Sequence, residues 1–220
     1  MGKRDSNFID TAWEKRSCLK PFNLNGCHLL IVGTITSPKG QEAGFFYTSK
    51  TNRLWELLDQ VLPNDQDVSL AAKQAYLADH PNDPKTLEDM KEKLKANGIG
   101  FCDIYQSCYF KKKDSASDQQ IASKKDGVHG SKIARDDMKK AWKNPQIVRI
   151  FLTSAFTRDV GVANDLWNKE DVVGEKDKVI QLLSPSKALA LAGKTPQDVE
   201  KDWKQKFGQA FHCHKTLKTP

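Results

Sequence analysis

An α/β fold, built as a three-layer α/β/α sandwich around a central, mostly parallel four-stranded sheet, is what this sequence predicts. Three observations point to it. Short apolar runs that read as buried strands recur at residues 29–32, 98–110, 146–154 and 179–183. Helical stretches separate them, as parallel strands require for their crossovers. A chain of 220 residues with 38% hydrophobic content is long enough to bury one substantial core, so one domain suffices.

Residues 1–25 are polar, with Phe8, Trp13, Leu19 and Phe22 spaced apart, which suits a short helix or arm lying on the domain surface. The domain itself is expected over residues 26–210, with residues 211–220 as a tail. The first strand, LLIV at 29–32, is a short apolar run bounded by turn residues and runs into a Gly/Pro loop. That loop carries Thr34, Thr36, Ser37, Phe45, Phe46, Tyr47 and Asn52 before Leu54, Leu57 and Leu58 recur at helical spacing. A loop at the carboxyl end of a strand is where open α/β sheets bind ligands, and this one offers hydrogen-bonding and stacking groups.

Residues 64–97 read as helix-rich decoration, interrupted by DHPNDP, whose two prolines mark a helix-connecting loop. Residues 98–110 form the second strand region, with Phe101, Ile104, Tyr105 and Tyr109 as apolar surface. The polar KKKDSASDQQI follows, and Lys111, Lys112 and Lys113 are a solvated face or a phosphate contact. QIVRIFLTS at 146–154 is the third strand, ending in Thr153 and Ser154. The fourth, at 179–183, runs into SPSKALALAG and a helix through Trp203, so two strand-to-loop junctions are available to one ligand.

A net charge of +7 favours a polyanionic partner, because Lys and Arg displace counterions from phosphates. Five scattered cysteines, with no Cys-x-x-Cys spacing, argue against a disulfide framework and for a reducing, intracellular setting. No apolar run approaches the roughly 18 residues that span a bilayer. His212, Cys213 and His214 are too close in sequence to close on one ion, so no metal site is expected.

Three segments in order, VGTITSP with FFYTSKTNRLW behind it, GIGFCDIYQSCYFKKKDSASDQQI, and LLSPSKALALAG followed by VEKDWKQKF, span residues 29–207. In that combination the chain resembles the uracil-DNA glycosylase superfamily, most closely its mismatch-specific and hypoxanthine-type branches. The resemblance implies a monomeric base-excision repair enzyme of the cytoplasm or of the nucleoid or nucleus. Such an enzyme flips a uracil- or hypoxanthine-type base out of DNA and hydrolyses its N-glycosidic bond without metal or cofactor. It also implies site roles. Tyr47 stacks on the flipped base, with Gly33, Thr34, Ile35 and Phe46 around the pocket. Asn52 serves in catalysis, as the Asn of this segment does in the hypoxanthine-type branch, although an Asn just before LWELL also suits a helix cap. Ser184, Pro185, Ser186 and Lys187 hold DNA phosphates.

Two departures from the family pattern bear on activity. Ile35 stands where active uracil-type relatives carry a water-activating Asp or Asn, and Leu183 leads the Ser-Pro-Ser loop in place of His or Asn. Asp114 and Asp118 suit helix caps better than a general base. A catalytically silent base- or nucleotide-binding module, and a hydrolase of small nucleosides, are the readings of other classes that share this pocket.

Overall fold

The computed structural model describes residues 14–63, 69–110, 132–134, 140–141, 143–153, 178–186 and 193–216. The expected central sheet is present, and all four of its strands are parallel. In chain order the strands and helices are β1 (Glu14–Ser17), β2 (Leu29–Gly33), α1 (Pro38–Ala43), α2 (Leu54–Asp59), α3 (Leu70–Asp79) and α4 (Pro84–Ala96). They continue with β3 (Ile99–Asp103), β4 (Tyr105–Phe110), β5 (Lys132–Ala134), β6 (Arg149–Leu152), β7 (Val179–Gln181), α5 (Pro196–Trp203) and α6 (Gln209–Thr216). The parallel sheet has the order β3-β2-β6-β7, with Gly33 in register with Asp103 and Val32 with Leu152. All four carboxyl ends therefore lie along one edge.

Side chains alternate across the sheet, as the strand period of two requires. Leu29, Ile31, Phe101 and Phe151 face one core, which α2, α3, α4 and α5 complete with Leu54, Trp55, Leu77, Met90, Leu94 and Trp203. Leu30, Val32, Cys102, Ile150 and Leu152 face a second core with Tyr105, Cys108 and Phe110 of β4 and the helical residue Ala141. Leu54, Trp55, Leu57 and Leu58 are all buried in α2, and each large side chain removed from water contributes about 1.5–3 kcal/mol.

One expectation is corrected. The strand region 98–110 is two strands in two sheets. The Ile104 amide bonds the Gly33 carbonyl and the Tyr105 amide bonds that of Thr34, which ends the parallel ladder and turns the chain away. β4 then pairs antiparallel with both β1 and β5 in a second, three-stranded sheet. The arm before residue 26 accordingly supplies an edge strand, and its Phe22 makes a two-bond bridge to Phe101 on the free edge of β3. Gly100 permits that crossing, because a Cβ there would stand 2.7 Å from the Cys27 sulfur and 3.0 Å from the Phe22 carbonyl oxygen. At the other end, α6 extends beyond residue 210 and buries Phe211 in the first core.

The prolines delimit helices as expected. Pro84 opens α4 behind the Asp83 cap, and Pro196 opens α5 inside a capping box between Thr195 and Asp198. After α5 the chain makes one π-helical turn over Lys204–Gly208, which carries Phe207 against Phe151 at 4.9 Å between ring centroids. Among the described residues no helix is long and apolar enough to cross a membrane.

Candidate functional site

The carboxyl edge of the parallel sheet gathers a compact polar cluster. β2 ends at Gly33, β3 at Asp103, and β6 passes directly into Thr153. Asp103 is only 2% exposed, and its Oδ2 accepts a short hydrogen bond from the Thr36 hydroxyl, whose oxygen in turn accepts from the Leu19 amide at 3.4 Å. A Cβ built on Gly33 would meet both Asp103 Oδ1 and the Tyr47 hydroxyl at 2.6 Å. Carboxylate and phenol thus converge over this glycine, and a larger residue there would have to displace them.

Tyr47 is held from three sides. Its hydroxyl is hydrogen-bonded to Thr153 Oγ1 at 3.0 Å, and Thr153 Oγ1 also lies 3.1 Å from the Val32 carbonyl. Its ring is tilted over Phe101 at 6.0 Å, and its carbonyl accepts from Trp55 Nε1 at 3.1 Å. Its φ of +55° is a left-handed conformation that a bulky residue rarely adopts. Strain of this kind concentrates where a side chain must be aimed.

Phe46, expected in the pocket, lies in the core. It is 2% exposed, stacks on Phe101 at 5.7 Å and makes a T-shaped contact with Phe45. Ile35 packs partly against the second core and offers no hydrogen-bonding group. Thr34 is buried at the floor of the loop, while Ser37 accepts from the Gly40 amide as the cap of α1.

Asn52 opens α2 by an Asx turn. Its Oδ1 accepts from the Leu54 amide at 2.9 Å, while Arg53, at the cap position itself, makes no side-chain cap bond. Capping thus uses the amide oxygen, whereas a catalytic donor would use Nδ2. The two readings of Asn52 fall on different atoms and are compatible. Its backbone forms an isolated antiparallel bridge with Ser186, and the neighbouring Arg53 amide bonds the Pro185 carbonyl at 2.9 Å. The two strand-to-loop junctions of the sequence therefore meet.

The second junction is fixed from behind by α5. The Leu183 amide donates to Asp202 Oδ2 at 2.7 Å, and the Leu183 carbonyl accepts from Trp203 Nε1 at 2.9 Å. Ser184 and Ser186 are half-buried, with the Ser186 amide 3.3 Å from Ser184 Oγ. Pro185 between them is buried. Lys187, Ser154, Asp114, Asp118 and Lys111 to Lys113 lie outside the described residues.

Asp103 is the site residue that sequence reasoning passed over. The available signal was an acidic residue closing the apolar run IGFCD, parallel to the Gly that closes LLIVG. The described residues hold no group of three or more His, Cys, Asp and Glu that would bind a metal ion.

No family model matches the chain, and no curated relative matches it. Among solved structures it is similar to the solution NMR structure of a candidate uracil DNA glycosylase from Methanosarcina acetivorans. The TM-score is 0.55 and the identity 18%, over 89% of this chain and 98% of that one. At that identity the likeness establishes the shared fold.

Proposed function

We propose that the chain is a monofunctional DNA N-glycosylase that hydrolyses the bond between an extruded uracil- or hypoxanthine-type base and its sugar, in base-excision repair. The observation that carries this reading is the bridge between Asn52 and Ser186. It brings the backbone of Asn52 against the Ser-Pro-Ser loop, in the same stretch of chain that carries Tyr47. The fold shared with a candidate uracil DNA glycosylase supports it. So does the net charge of +7, which suits a DNA partner. A monomer working inside the cell, without cofactor, fits the same reading.

In the reaction, water bonds to the sugar C1′ as the C1′–N bond breaks. The bonding pair leaves with the base, and a proton from water ends on the base nitrogen. The transition state is cationic at the sugar and anionic on the base, so a fixed N–H donor near the base lowers its energy. Asn52 Nδ2 is proposed as that donor, with the Tyr47 ring as the stacking surface. Asp103 is proposed to accept from a base N–H and so to help select the base. Because the Tyr47 hydroxyl and the Asp103 carboxylate fill the space over Gly33, a base enters as Tyr47 leaves Thr153. Ser184 and Ser186 are proposed to hold the flanking phosphates, as is Lys187.

A second reading, a silent base-binding module, is favoured by one observation: Ile35 packs against the second core where active uracil-type relatives carry a water-activating group. A gel assay for alkali-labile abasic sites separates the two. Duplex and single-stranded oligonucleotides containing uracil, hypoxanthine, xanthine or a normal base are incubated with the protein and with its Asn52→Ala and Asp103→Asn variants. Cleavage at one lesion, lost with Asn52→Ala and redistributed among bases with Asp103→Asn, is expected. Salt-sensitive DNA binding with no cleavage of any substrate would establish the silent module instead.

A further inference from the structure

We propose that Gln74, in the middle of α3, is a positioning residue that sets the relative placement of Tyr47 and Asn52, a role that rests on the excision reading above. The Gln74 side chain is 5% exposed. Its Nε2 lies 3.3 Å from the Tyr47 carbonyl, 2.6 Å from that of Ser49 and 3.0 Å from that of Asn52. A primary amide has two hydrogens, so the three carbonyls share them. One buried group therefore fastens the two ends and the middle of the loop that bears both proposed functional side chains.

The inward turn of these carbonyls follows from the shape of the loop. Tyr47 sits at φ +55°, which reverses the chain just after the buried Phe46, and the Asn52 amide closes a turn onto Ser49 at 2.9 Å. The carbonyls of such a loop must find donors beneath it or remain poorly satisfied, at a cost to the local conformation. Trp55 Nε1 serves Tyr47 from α2, and Gln74 serves all three positions from α3. On its outer side the same loop is tied to Pro185 through the Arg53 amide. Asn52 is thus clamped between the Ser-Pro-Ser loop and α3, with its Oδ1 spent on Leu54.

The helical stretch that the sequence presents as decoration therefore reaches the site from below. Gln74 acts through the loop it fastens. Reacting groups tolerate little displacement, and a misplacement near 1 Å costs on the order of 100-fold in rate.

Single-turnover excision and equilibrium DNA binding, measured on wild-type protein, Gln74→Glu and Gln74→Met, test this role. Gln74→Glu keeps the shape and removes the donors. Gln74→Met has similar length, no donor and no charge. Circular dichroism at the assay temperature establishes that each variant is folded. The expected result is an excision rate lower by about 30- to 100-fold in both variants, with DNA Kd within about twofold of wild type. If Gln74→Glu does not fold, Gln74→Met decides alone. A folded variant that excises at the wild-type rate, or one that loses only DNA affinity, overturns the positioning role while leaving the excision reading intact. Wild-type protein that excises nothing overturns both.

Discussion

Asn52 and Ser186 are 134 residues apart in the sequence and form an isolated antiparallel bridge, which joins the loop after β2 to the loop after β7. Because Asn52 Oδ1 is committed to the Leu54 amide, the side chain divides into a capping oxygen and a separate donor nitrogen. Asn52→Asp keeps the oxygen and replaces the donor, whereas Asn52→Ala removes both. Asn52→Asp is expected to retain the melting temperature and lose activity by about 100-fold, the scale for one lost transition-state donor. Asn52→Ala should lose activity and also about 0.5–2 kcal/mol of stability. Thermal melts beside the abasic-site assay check this, and activity raised by Asn52→Asp would move Asn52 from donor to water activation.

A methyl group on Gly33 would have to displace its neighbours. A Cβ would approach Asp103 Oδ1 and the Tyr47 hydroxyl to 2.6 Å, and both are tethered, to Thr36 and Thr153. Gly33→Ala is therefore expected to cost about 1–3 kcal/mol by overpacking and to abolish base capture. Urea denaturation and DNA titration measure the two effects, and wild-type values in both would show that the cluster yields easily.

The Tyr47–Thr153 bond is open to a double-mutant cycle. Tyr47→Phe and Thr153→Val each remove one hydroxyl while keeping its shape, and each is expected to cost about 0.5–1.5 kcal/mol. Because they break the same 3.0 Å bond, the double variant should cost less than the sum. Strict additivity in denaturant unfolding would mean that the bond contributes nothing.

Burial pushes the Cys27 thiol up to about 12 from its ordinary 9.0, while its sulfur donates weakly to the Leu24 carbonyl. A folded-state pKa above the unfolded one stabilises the fold fully below pH 9, and the contribution declines as pH rises from about 9 to about 12. The melting temperature of wild type should therefore fall more steeply than that of Cys27→Ala across that window. At pH 8 an aromatic disulfide reagent should react quickly with exposed Cys213 and reach buried Cys27, Cys102 and Cys108 only on unfolding. Equal slopes for the two proteins, or fast modification of Cys27, would contradict this.

Much of the fold was legible in the sequence. LLIV is continuously apolar because β2 is covered on both faces, and the two prolines of DHPNDP do separate α3 from α4. The break inside residues 98–110 was not legible. Ile104 is as apolar as its neighbours, and only its amide bond to Gly33 marks the point where one sheet ends and another begins. Residues 14–17 gave no strand signal either, since an edge strand with one buried residue shows too little alternation.

The site divides in the same way. Tyr47, Thr34 and Thr153 were visible as polar or aromatic residues in loops that follow apolar strands, and Asn52 as a residue that begins a helix. The burial of Phe46 was not legible, because three consecutive aromatics cannot be sorted by depth without the left-handed turn at Tyr47. Asp103 and Gln74 were invisible, one lying inside residues 98–110, read as a single strand region, and the other within residues 64–97, read as helix-rich decoration.

The sequence by itself determined the four strand regions of the parallel sheet and the helical stretches between them, because hydrophobic period and turn chemistry are local properties. Which side chains meet at the carboxyl edge of that sheet was decided only by tertiary structure. Strand register sets Asp103 beside Gly33, the Asn52–Ser186 bridge joins two distant loops, and α3 brings Gln74 beneath the first of them. Register and helix docking are fixed by packing among residues far apart in the chain, and a local reading has no access to such contacts.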